Sequence, residues 1–84
     1  MQKDLYFFDM TIEDYIKAFA DQFDDTDSSL ITADTAFHDL DEWGSLIALA
    51  VLNMTEKKFG KKITFGQMRN CITVQDLYNL VEGK

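Results

Sequence analysis

The sequence holds no proline and only four glycines, poor material for a fold of many tight turns, so an all-helical domain is expected. A single cysteine, Cys71, excludes an internal disulfide and leaves no need for an oxidising compartment. The single histidine, His38, lies far along the chain from that cysteine, so the two do not suggest a metal cluster. Packing in a loop is the role expected of His38, and a buried, inert thiol is expected at Cys71. Long apolar runs are missing as well. None approaches membrane-spanning length, and Leu5-Tyr6-Phe7-Phe8 is too short for the core of a secretion signal and is followed directly by Asp9. A cytoplasmic protein is the expectation.

What is present argues for one folded domain. An apolar fraction of 46% and an aromatic fraction of 13% are enough for a modest core in 84 residues, despite a net charge of −7. A deep, enclosed catalytic pocket is not expected at this size, and an enzyme is disfavoured. The charge is lopsided: Met1 to Leu46 sums to −10, whereas Ile47 to Lys84 sums to +3. Such a field repels nucleic acid and anionic membrane and steers basic protein partners inward, or it serves solubility alone.

Periodicity places the helices. Ile12, Tyr15, Ile16, Phe19, Ala20 and Phe23 recur at helical spacing behind a Thr11-x-x-Asp14 cap, with Met10 placed to staple onto Tyr15. Residues 1–10 read as an N-terminal extension and 11–84 as the domain proper. In the extension, Leu5 to Phe8 suit either a cover for an exposed end of the core or a contact with a second copy.

Asp24 to Gly44 has no helical period and is rich in Asp, Ser and Thr. Leu30, Ile31, Phe37, Leu40 and Trp43 are spaced to pin it onto the helices, so it reads as an ordered loop, and a loop of this length is usually functional. Asp25, Asp27 and Ser29 are spaced like the first ligands of an EF-hand, but Leu30 and Ala36 stand where that loop needs Gly and Glu, which argues against calcium. Farther on, Thr64 and Gln67 cap a short helix over about Phe65 to Asn70, though Gly66 weakens it. A last helix starts at Thr73, with Asp76 closing its cap, an Ile72 to Leu77 staple, and Val74, Leu77, Tyr78 and Val81 on its apolar face.

The chain is organised around Asp39 to Gly60. An acidic loop delivers Ser45 to an apolar stretch without Gly or Pro as far as Phe59, after which Gly60 is placed for a left-handed helix stop. Ser45 is the expected N-cap, with its hydroxyl at the positive end of the helix dipole, a favourable position for a phosphate. On a helical wheel, Ala48, Val51, Leu52, Met54 and Phe59 share one broad side and Asn53 with Lys57 the other; apolar Leu46 falls between Asn53 and Lys57, as a partner contact or a plain exposed leucine. Lys57, Lys58, Lys61 and Lys62 crowd the helix end that favours cations.

Trp43-Gly44-Ser45-Leu46, the helix ending in Lys58-Phe59-Gly60, and the later Ile72-Thr73-Val74-Gln75-Asp76-Leu77 together resemble acyl carrier proteins over roughly Thr11 to Glu82. The resemblance implies an acyl-carrier-like four-helix bundle of three longer helices and one short one, with a long ordered loop between the first two. It implies 4′-phosphopantetheine, drawn from coenzyme A, on Ser45, carrying an acyl or aminoacyl thioester for fatty acid, polyketide or related biosynthesis. The implied partners are a phosphopantetheinyl transferase and the enzymes that load and process the cargo, with the carrier itself a monomer. Family members usually have Asp before this serine, and here Gly44 stands there. They also carry acids along the helix, where here Glu56 is the only one. Docking is therefore expected to lean on Asp39, Asp41 and Glu42 of the loop, with Gly44, Leu46, Ala50 and Glu56 completing the partner surface. The competing reading is an unmodified helical interaction module of the same fold.

Overall fold

Three of the four described helices start where the sequence supplies a side-chain cap. The Thr11 hydroxyl accepts the backbone N–H of Asp14 at 3.2 Å, and the Asp14 carboxylate accepts that of Thr11. This reciprocal pair satisfies N–H groups that a helix start leaves unpaired and opens α1, Ile12–Ala20. The same device built from Thr64 with Gln67 opens α3, Phe65–Asn70, and from Thr73 with Asp76 opens α4, Val74–Val81. Between α1 and α3 runs α2, Ser45–Phe59, which Gly60 ends at φ 71° in the left-handed region, as expected. The computed structural model describes residues 11–83. The expected roles of Leu5 to Phe8 and of Met10 lie outside the described residues. Among those described there are four helices, no strand, and one isolated antiparallel bridge between Ala36 and Thr73. No helix among them is long and apolar enough to cross a membrane.

α1 packs against both α2 and α4, because its buried stripe of Tyr15, Ala18 and Phe19 faces the stripe of Val74, Leu77, Tyr78 and Val81 and that of Ala48, Val51, Leu52 and Met54. The α1 periodicity outruns the helix itself. The helix stops at Ala20, yet Phe23 stays buried with its ring 5.4 Å from that of Phe19. Thr55 is the one buried polar residue among those described, and it is fully satisfied. Its hydroxyl donates to the Val51 carbonyl at 2.8 Å, which leaves its oxygen to accept from the Tyr15 hydroxyl at 2.9 Å. Burial pushes the Tyr15 phenol up to about 12.

The long loop is ordered by two short 3-10 turns, Ser28–Leu30 and Phe37–Asp39. Ile31 and Phe37 are buried and Leu40 and Trp43 partly so. Leu30 is not a pin: it is 63% exposed, since its turn presents it outward. Two main-chain bonds replace it, from Val74 N–H to the Thr35 carbonyl at 3.2 Å and from Gln75 N–H to that of Ala33 at 2.9 Å. They tie the loop to the head of α4. Ile72 is likewise 65% exposed, so the expected staple with Leu77 does not bury it; Asp76 organises that start instead by accepting the N–H groups of both Ile72 and Thr73.

Candidate functional site at the head of α2

The loop reaching Ser45 is anchored by Glu42. Its carboxylate accepts the backbone N–H groups of Asp24 at 2.7 Å, Asp25 at 3.0 Å and Thr26 at 3.0 Å, together with the Thr26 hydroxyl at 2.8 Å. The Thr26 hydroxyl first, and then these three N–H groups, hold the carboxyl below its ordinary value. Glu42, expected to meet partners, also fastens the loop to the segment after α1 through both of its oxygens. Asp39 and Asp41 are exposed. They share with Glu42 and Asp25 a shallow acidic cleft of about 590 Å³, on which Leu30 also opens.

Trp43 fixes the next position. Its indole lies 4.8 Å from the Phe37 ring edge-on and nearly parallel to Phe19 at 6.2 Å, contacts that favour a defined orientation. Gly44 follows in extended conformation (φ −174°, ψ −176°), and its carbonyl accepts the Ala48 N–H at 2.8 Å. That bond makes Gly44, and not Ser45, the N-cap. The expectation is off by one residue because a glycine cap carries no side chain for a sequence reading to notice. Ser45 is the first residue inside the helix and is exposed. Whereas the hydroxyls of Thr11, Thr64 and Thr73 are tied into caps, that of Ser45 has no hydrogen-bond partner among the described residues.

Beside Ser45, between α2 and α3, lies an open groove of about 310 Å³. Its apolar lining is Trp43, Ala48, Phe65 and Met68, and its polar lining includes His38 and Arg69. The His38 Nε2 donates to the Cys71 carbonyl at 3.1 Å and its ring packs 4.3 Å from that of Phe37, the packing role foreseen for it. Cys71 is buried, and burial raises its thiol pKa, so it is a poor nucleophile.

Along α2, Leu46 is 81% exposed, Leu49 follows on the same face, Ala50 is half-buried and Glu56 is exposed. The structure thus divides the expected partner residues into an acidic cleft (Asp39, Asp41, Glu42), a groove mouth (Gly44, Ser45) and a helix face (Leu46, Ala50, Glu56). Leu49 and Phe65 are exposed apolar residues on α2 and α3 that were not singled out from sequence as partner contacts; the three-residue step from Leu46 to Leu49 is the signal that points to the first. No cluster of metal-ligating side chains occurs among the described residues, and Asp27 of the supposed EF-hand spacing instead caps Ser29 N–H at 3.0 Å. Compared with models of known protein families, with curated proteins and with solved structures, the chain matches none.

Proposed function

We propose that this chain is a carrier protein with an acyl-carrier-like fold, holding acyl or aminoacyl cargo as a thioester on a 4′-phosphopantetheine arm esterified to Ser45. The observation that carries the reading is the Ser45 hydroxyl. It stands exposed at the first position of the longest described helix, on an anchored loop, with no hydrogen-bond partner among the described residues. No base among the described residues is hydrogen-bonded to it, which suits a substrate of another enzyme. The transferase would take the hydroxyl proton, the serine oxygen would form the new bond to phosphorus, and the nucleotide half of coenzyme A would leave with the electrons of the broken P–O bond.

Intact mass after incubation with coenzyme A and a broad-specificity transferase tests the proposal. One phosphopantetheine should be added, and none to Ser45→Ala. That variant should fold as well as the parent, since Ser45 makes no capping bond for alanine to lose. An unchanged parent mass is the outcome expected of an interaction module that uses exposed Leu46 and Leu49 without an arm, and it would refute the carrier reading.

A further inference from the structure

Arg69 is the only arginine in a chain of fifteen acids, and yet it has no hydrogen bond or ion pair among the described residues. It stands in the last turn of α3 and lines the same groove as Ser45. No aspartate or glutamate lines that groove, and Gly44, at its mouth, brings no side chain. His38, the other basic group there, already spends its Nε2 on the Cys71 carbonyl. The groove therefore combines an apolar lining with one unpaired guanidinium.

We propose that Arg69 is the anchoring residue for the arm: its guanidinium pairs with the phosphodiester on Ser45, so that the pantetheine lies along Trp43 and Phe65. The inference rests on the carrier reading above and adds to it the place where the arm rests. A phosphodiester esterified to Ser45 carries a full negative charge at the groove mouth, and Arg69 is a side chain of the same groove. The planar fork of arginine matches two phosphate oxygens at once, which a lysine ammonium does not. Because Arg69 is exposed, salt weakens the pairing, and the arm is released for transfer when a partner enzyme competes for the phosphate.

The sole arginine gives a direct readout, since its side-chain Nε–H produces one unambiguous arginine resonance. Apo and holo protein are compared at low ionic strength, with attachment of the arm verified by intact mass. The resonance should move on attachment and return toward its apo position as sodium chloride is added. The phosphorus resonance of the arm should differ between holo parent and holo Arg69→Gln, with Arg69→Lys between them. A holo protein of correct mass whose arginine resonance coincides with that of the apo form overturns the proposal and leaves the carrier reading standing. So does a phosphorus resonance identical in parent and Arg69→Gln. Absence of any mass gain overturns both. The arginine measurement uses the unsubstituted chain, so it does not depend on the folding of any variant.

Discussion

Gly44→Asp introduces a carboxylate before Ser45, as the proposed carrier role would favour, and its effect can be worked out from the backbone. Gly44 is extended, with no left-handed φ that would demand glycine, and a Cβ built on it meets nothing within 4 Å. The side chain therefore enters open space at an N-cap, where its carboxylate can accept from the N–H of Leu46 or Ile47. Asp over Gly at an N-cap contributes a few tenths of a kcal/mol. A negative charge at the positive end of the dipole adds about 0.3–1 kcal/mol, and the smaller freedom of the unfolded chain contributes about 0.4–1 kcal/mol. Against these stands repulsion from exposed Asp39 and Asp41 in a chain of charge −7, partly screened at ordinary salt. The net is about 1 kcal/mol of stabilisation, or a rise of about 4–8 °C in Tm for a domain of this size. The carboxylate also offers the transferase an exposed ion pair of about 0.2–1 kcal/mol, raising the modification rate about 1.4- to 5-fold in low salt and less in high salt. Thermal melts followed by circular dichroism, and initial modification rates at two salt concentrations, are the assays. A lowered Tm would show that the turn needs glycine after all. A rate at or below the parent's in low salt would refute the charge argument even if Tm rises.

Thr55→Val strands the buried Tyr15 hydroxyl and should cost about 1–3 kcal/mol in denaturant unfolding, and adding Tyr15→Phe should recover part of the loss; simple additivity of the two would deny their coupling. The unfolded tyrosine loses its proton near its ordinary value of 10.0 and the folded one near 12, so the contribution of Tyr15 to stability is constant below the first value and falls as pH rises toward the second. An alkaline unfolding series should show that slope in the parent and less of it in Tyr15→Phe. Glu42→Ala should lower Tm at neutral pH and slow modification by loosening the loop. Because the folded carboxyl is held below its ordinary value of 4.5, the stability it contributes is present above that value and is lost as pH falls through the lower folded one, so the Tm gap between parent and variant should close in acid. Leu46→Ala should shift stability by no more than about 0.5 kcal/mol, as an exposed side chain does, while slowing cargo transfer; a large loss of stability with transfer unchanged would mark Leu46 as core.

The helices were legible wherever a local signal fixed them. Thr11 with Asp14, Thr64 with Gln67 and Thr73 with Asp76 announce their caps in four residues each, and Gly60 marks the end of α2 because few other residues accept its φ. What escaped the sequence depended on partners far along the chain. Glu42 looks like one more surface acid until the chain after α1 brings three N–H groups to it, and Leu30 cannot be told from Ile31 when a three-residue turn decides which of them faces inward. Thr55 reads as an ordinary polar position, and beyond its local bond to the Val51 carbonyl its buried hydroxyl is completed by Tyr15, forty residues earlier. The groove beside Ser45 is assembled from α2, α3 and the loop, so no single stretch of sequence contains it. The serine at its mouth, by contrast, was legible as a candidate from its own neighbourhood, though one position away from its true place in the helix.

Trp43 is the only tryptophan, held within 5.6 Å of the His38 ring and opening on the groove beside Ser45. Indole emission reports the polarity around the ring, so the chain carries its own optical gauge at the point where cargo would arrive. An arm laid over the indole would exclude water and shift the band to shorter wavelength; an arm extended into solvent would leave it where it is in the apo protein. Loading, release and partner capture would then be readable as a colour change in real time, with no label attached.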